Sequence, residues 1–224
     1  MKNRRTSKLL GALLTLSILL SILPLAASAE QIFTDVSEDA WYSDAVNFCY
    51  SWNMMNGTGD GQFSPNATLT RGMIVTIFYR WDATPDASAY DNPFSDVPAG
   101  QWYTDAVKWA AANNIVSGYG DGNFGPNDPV TKEQLALLFC RLAEGGGIEI
   151  HDFGVDRAFT DLNQVSSWAS EAVNELNRWG ILVDLPGNTF GPQNAATRAE
   201  VASILYRYVV IVTAATDGPG EGEY

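Results

Sequence analysis

Histidine is nearly absent from the 224 residues, His151 being the only one. That leaves no Ser-His or Cys-His pair for nucleophilic catalysis and no histidine cluster for a metal. Cysteine is almost as scarce. Cys49 and Cys140 sit among apolar neighbours in helical patterns, which excludes a disulfide framework. They read as two buried thiols, with a single disulfide in an exported protein as the alternative. Basic residues are the third scarcity: 13 Lys and Arg face 26 Asp and Glu, a formal charge of -13. Nucleic acid demands a basic face and is excluded as a partner. Any anionic ligand must be captured by a few well-placed cations, against the field of the whole chain. Long apolar runs are limited to Leu9–Leu23, and those 15 residues fall short of the roughly 20 that span a bilayer.

What is present begins with that run. Lys2, Arg4, Arg5 and Lys8 precede it and Ala27-Ser28-Ala29 follow it, the charge, core and small-residue order of a secretory signal peptide over residues 1–29. Removal of that leader leaves nine Lys and Arg against 26 acidic residues, a formal charge of -17. The expected mature protein is secreted and has no membrane span.

The remainder is a threefold repeat. Phe33-Thr34-Asp35-Val36, Phe94-Ser95-Asp96-Val97 and Phe159-Thr160-Asp161-Leu162 open three units spaced 61 and 65 residues apart. A Trp follows in each (Trp41, Trp102, Trp168), with Ala-Val four residues later. Then come Phe63-Ser64-Pro65, Phe124-Gly125-Pro126 and Phe190-Gly191-Pro192, and finally Thr70-Arg71, Thr131-Lys132 and Thr197-Arg198. Trp41, Ala45, Phe48 or Cys49 and Trp52 fall at helical spacing in a first helix. In a second helix, Ile74, Ile77, Phe78 and Trp81, Leu135, Leu138, Phe139 and Leu142, and Val201, Ile204, Leu205 and Tyr208 each form one apolar stripe. Glycine-rich turns separate the helices of the first two units. Two short helices cannot bury a stripe alone, so the expectation is an all-α fold of three helix-loop-helix repeats packed as a pseudo-threefold bundle. The expected division is repeat 1 at 30–83, a linker at 84–93, repeat 2 at 94–144, a linker at 145–158, repeat 3 at 159–210 and a disordered tail at 211–224.

These residues resemble the S-layer homology repeat, whose features are Phe-x-Asp-Val, a Trp and Ala in the first helix, a Gly-x-x-Asp-Gly loop, Phe-x-Pro and a Thr-Arg-Ala-Glu start to the second helix. The resemblance covers about residues 33–210 and implies a cell-surface module that attaches exported proteins to secondary cell-wall polymers, often with pyruvylated sugars. It also implies ligand contact by the basic residue of the Thr-Arg motif, here Arg71, Lys132 and Arg198, in grooves between repeats. The residues support that site on their own terms. Thr70, Thr131 and Thr197 read as N-caps, with capping boxes to Gln134 and Glu200. A cation directly after each cap opposes the helix dipole. An anion bound jointly by the side chain and free backbone N–H groups would explain it; solvated cations or pairs with the Phe-x-Asp carboxylates are the alternative. Trp41, Trp102 and Trp168 are candidate sugar platforms, although their spacing also suits core packing. Asp35, Asp96 and Asp161 read as caps or salt-bridge partners.

Three departures from the repeat pattern stand out. Met73 takes the Glu position in repeat 1, repeat 2 reads Thr131-Lys132-Glu133-Gln134, and Val183-Asp184-Leu185-Pro186-Gly187 replaces the glycine-rich loop of repeat 3. The groove using that last loop is the doubtful one. The function expected is non-catalytic attachment of the protein to the bacterial cell wall through an acidic polysaccharide, without catalytic residue, metal or cofactor. Self-assembly into a surface lattice is the runner-up, signalled by a large exposed apolar patch. A wall glycosidase, signalled by a carboxylate pair in a separate pocket, ranks below it.

Overall fold

The computed structural model describes residues 32–148 and 156–216. The expected leader, His151 and the tail after residue 216 lie outside the described residues. Six α-helices follow one another: α1 (Ser43–Ser51), α2 (Arg71–Trp81), α3 (Thr104–Ala112), α4 (Lys132–Gly146), α5 (Ser170–Arg178) and α6 (Arg198–Thr216). The described fold is all-α, with isolated backbone bridges and no sheet.

The first helices α1, α3 and α5 are nine residues each and lack a side-chain cap, too short to persist in isolation. Packing holds them, through buried Ala45-Val46, Ala106-Val107 and Ala172-Val173. The pairing is cyclic: α2 packs on α3, α4 on α5, and α6 returns to α1. Each second helix therefore covers the first helix of the next repeat. A ring of backbone hydrogen bonds closes the same circuit just ahead of the second helices. The Leu69 N–H donates to the Ala196 carbonyl at 3.1 Å, Ala196 to Val130 at 2.9 Å, and Val130 to Leu69 at 3.0 Å. Between the second helices Phe78 meets Phe139 at 5.0 Å, Phe139 meets Tyr208 at 4.9 Å and Trp81 meets Tyr208 at 5.6 Å between ring centroids.

The two Phe motifs of each unit form one substructure. Phe63, Phe124 and Phe190 are fully buried and pack on Phe33, Phe94 and Phe159 at 5.4, 5.3 and 5.8 Å; burial of each such ring contributes roughly 1.5–3 kcal/mol. Asp35 accepts from the backbone N–H groups of Phe63 and Ser64, Asp96 from Phe124 and Gly125, and Asp161 from Phe190 and Gly191, all at 2.7 Å. These aspartates are structural, but as clamps on a turn about 28 residues away rather than as caps or salt-bridge partners.

Two expectations about element ends are corrected. Helix α4 continues through Gly145 and Gly146 and stops at left-handed Gly147, the usual helix terminator. Helix α6 runs to Thr216 instead of ending at 210, because Ile211, Val212 and Thr213 are buried on the bundle. Cys49 and Cys140 are separate buried thiols, each directed at a backbone carbonyl, of Ala202 and Ala172 respectively.

Candidate functional site

The Thr caps form as expected: Thr70, Thr131 and Thr197 hydroxyls each accept from the N–H three residues on, at 3.3 Å. Gln134 and Glu200 complete their capping boxes by accepting from the Thr131 and Thr197 N–H groups. The two N–H groups between cap and box are not free. Arg71 and Gly72 donate to the carbonyls of Asp128 and Pro126, Lys132 and Glu133 to Asn194 and Pro192, and Arg198 and Ala199 to Ala67 and Pro65, at 2.8–3.0 Å. An anion therefore cannot sit on these helix N-termini. The backbone of the neighbouring repeat already occupies them.

The side chains after the caps reach sideways into that neighbour. Arg71 is buried; its Nε donates to the Phe124 carbonyl at 2.8 Å and Nη2 to Ser117 at 3.3 Å, with the guanidinium over the Tyr119 and Phe124 rings. Arg198 repeats this on the loop of repeat 1: Nε to Phe63 at 2.7 Å, Nη2 to Asn56 at 2.6 Å, and a cation–π contact of 4.4 Å with Phe63. Burial lowers the pKa of both guanidiniums. Attraction to Tyr119, Asp128 and Asp96 opposes the shift at Arg71, and attraction to Asp35 opposes it at Arg198. Nη1 of each is left without a protein partner among the described residues.

Two inter-repeat grooves of about 300 Å³ each are built around these arginines. The first joins Arg71 of repeat 1, Ser117 and Tyr119 of the repeat 2 loop, Gln134 and Arg141 of α4, and Trp168 of repeat 3. The second joins Arg198 of repeat 3, Asn56 of the repeat 1 loop, Met73 and Arg80 of α2, and Trp102 of repeat 2. Neither groove is lined by a carboxylate.

All three tryptophans stand in solvent, Trp41, Trp102 and Trp168 being 41, 58 and 52% exposed; Trp168 lines the first groove and Trp102 the second, and Trp41 lines neither. The core-packing alternative is overturned, because each lies two residues ahead of the first helical residue. Helical periodicity does not apply there, and the residue after each Trp turns inward in its place, as Tyr103 and Ala169 do.

The third position differs in chemistry. Lys132 Nζ lies 2.5 Å from Glu200 Oε1. Arg207 donates to the Gly180 carbonyl at 3.1 and 3.0 Å and lies 3.6 Å from Asp184. The repeat 3 loop is held by Arg157, just ahead of the same repeat, which donates to the carbonyls of Val183, Leu185 and Gly187. Both cations of this position thus have carboxylate partners.

Arg80, Arg141 and Arg207 lie outside the repeat motifs. All three lie ten residues after the capping threonine, so an aligned reading of the second helices carries the signal. A larger cavity of about 840 Å³ borders α5 and includes Asp156 and Glu171. Both carboxylates are exposed, whereas a glycosidase acid is held protonated by an apolar, buried setting. Among the described residues, no group of His, Cys, Asp and Glu could hold a metal ion, and no helix is long and apolar enough to cross a membrane.

Three helix pairs closed in a circle, with basic grooves at the repeat boundaries, define a repeat-built binding module. The S-layer homology domain matches at residues 32–72, 93–136 and 158–202, and the chain belongs to that family. It is thereby placed among proteins of the cell surface attached to the cell wall. It is similar to an amylopullulanase of Thermoanaerobacterium thermosulfurigenes, 33% identical over 79% of this chain and 9% of the relative. It is also similar to the surface-layer 125 kDa protein of Lysinibacillus sphaericus (26% identical, 95% of this chain, 18% of the relative). The middle cell wall protein of Brevibacillus brevis is 23% identical over 88% of this chain and 18% of the relative. The chain thus spans less than a quarter of the length of these relatives.

Proposed function

We propose that the chain is a non-catalytic cell-surface anchoring module that holds an anionic secondary cell-wall polysaccharide, of the carboxylate-bearing pyruvylated kind, in its first two grooves. The observation that carries this reading is one of charge. On a chain of formal charge -13, two grooves each concentrate two arginines and an exposed tryptophan with no carboxylate in the lining. Arg71 and Arg198 offer Nη1, Arg141 and Arg80 bring the second charge, and Trp168 and Trp102 offer a face for a sugar ring. Lys132 is withheld by Glu200. By the same cyclic order Trp41 belongs to the third position, which we assign no ligand. The likeness to an amylopullulanase, confined to 9% of that enzyme, fits an attachment role rather than a catalytic one.

The test is sedimentation of the protein with purified cell walls before and after their anionic polymer is stripped. R80Q/R141Q and W102A/W168A spare Arg71 and Arg198, which hold the loop carbonyls; Arg141 meets the repeat 2 loop through the Ser117 hydroxyl, at 3.2 Å. Binding lost on stripping, in both double variants and with rising salt, but kept in W41A, is the expected result. Equal binding to stripped walls overturns the reading. The exposed tryptophans also favour self-association into a surface lattice, in which case W102A/W168A lowers the sedimentation coefficient of the free protein and leaves wall binding unchanged.

A further inference from the structure

The second groove contains an Asn-Gly peptide unit. Asn56-Gly57 is the chain's only Asn-Gly pair, and Asn56 is exposed on the groove wall. Among the described residues, neither the Asn56 carboxamide nor the Gly57 N–H has a hydrogen-bond partner. The electrophilic carbon and the nitrogen that attacks it in succinimide formation are therefore both unencumbered. The carbonyl of this same peptide unit accepts from Arg198 Nη2 at 2.6 Å. A cation on that oxygen stabilises the negative charge the unit acquires when its N–H is deprotonated, which raises the fraction of the nucleophilic form.

Glycine at 57 is imposed by packing, since a Cβ there would lie 2.8 Å from both the Gln62 carbonyl oxygen and the Phe33 ring. The residue before it is not fixed in this way. Repeat 2 has Ser117-Gly118 at the same place and repeat 3 has Val183-Asp184, and neither Ser nor Val carries a carbonyl carbon to attack. The chemistry belongs to the second groove alone.

We propose that Asn56 is a self-modification site by which the second groove loses its affinity for an anionic ligand as the protein ages. The Gly57 nitrogen, having given its proton to solvent base, bonds to Asn56 Cγ. The Cγ–N bond breaks and ammonia leaves with that proton. Water then opens the succinimide at either carbonyl, leaving aspartate or isoaspartate. The net change is one water consumed and one ammonia released, with no redox step. The product carboxylate lies in the groove that holds Arg198 and Arg80 and neutralises part of its charge. The isoaspartate form also carries an extra backbone methylene, which displaces the carbonyl that Arg198 holds. The consequence for binding rests on the anchoring function proposed above; the chemistry does not.

The test incubates the folded chain at mildly alkaline pH and follows each Asn by peptide mass mapping, with isoaspartyl methyltransferase labelling. Conversion at Asn56 ahead of every other Asn, absent in N56S and several-fold slower in R198Q, is the expected result. An intact Asn56 under conditions that convert an unfolded peptide of the same sequence overturns the site. Conversion as fast or faster in R198Q overturns the role given to Arg198. N56D, which carries the product charge from the start, should bind walls through this groove about tenfold more weakly than N56S, with R141Q present in both to silence the first groove. Equal binding of the two overturns the loss of affinity. Failure of the parent chain itself to distinguish stripped from intact walls locates the fault in the anchoring reading, while the mass readout still decides the chemistry.

Discussion

Lys132 and Glu200 form an ion pair of 2.5 Å with both side chains almost out of solvent, and it joins the start of one second helix to the start of the next. Glu200 also completes the Thr197 capping box, so one carboxylate serves a cap and a neighbouring repeat together. Gln preserves the cap, as Gln134 does in repeat 2, and isolates the ion pair. E200Q should cost about 3 kcal/mol by stranding the Lys132 charge, and K132M/E200Q should recover a good part of it. Urea unfolding of the full cycle measures the coupling, and additive losses would show the pair to be inert.

Asp96 holds the turn whose Phe124 carbonyl receives Arg71. In D96N an amide donor faces a backbone N–H in place of an acceptor. A destabilisation of about 2 kcal/mol should accompany weaker wall binding through the first groove. A variant that unfolds at the parent midpoint would contradict the clamp.

The Tyr208 hydroxyl is fully buried and has no hydrogen-bond partner in the described structure. Removing an unsatisfied buried hydroxyl relieves its desolvation cost, so Y208F should match or exceed the parent by about 1 kcal/mol. A large loss of thermal stability would mean that the oxygen has a partner.

Alkaline pH should destabilise the bundle through its buried thiols and the Tyr208 phenol. Burial pushes the Cys49 thiol up to about 12. Burial, followed by the charges of Glu175, Glu144 and Glu171, raises Cys140, and burial raises Tyr208. All three stay neutral in the fold, whereas the unfolded chain ionises its thiols near 8.5 and its phenols near about 10. Their contribution is complete below about pH 8.5 and is lost as pH rises toward about 12. C49S should flatten the fall in urea midpoint over that window, and an unchanged slope would remove Cys49 from the account.

The repeat and its second helix were legible because their signals are local. Thr131, Leu135, Leu138 and Phe139 declare a cap and a stripe within nine residues, and all of it forms. That the units pack on one another followed from three stripes that none of them can bury alone. The use of Arg71 was not legible, because what consumes its N–H and its guanidinium lies in another repeat, at Asp128, Phe124 and Ser117. The Asp96 clamp escaped for the same reason, its donors being 28 and 29 residues away. The tryptophans misled because Ala-Val four residues on suggested a helix that in fact begins after them. Arg80, Arg141 and Arg207 were in plain view, but outside the motif that drew attention.

The hydrogen-bond circuit through Leu69, Ala196 and Val130 makes the repeats answerable to one another in a way a linear array is not. In an open solenoid a unit removed from the end leaves the rest intact and only shorter. Here every excision breaks the circle and bares one first-helix face and one second-helix face together. A two-repeat fragment would have complementary halves of a missing partner on its own surface. Its natural refuge is to borrow the absent unit from another copy, so truncation should yield an exchanged assembly rather than a smaller module of the same kind.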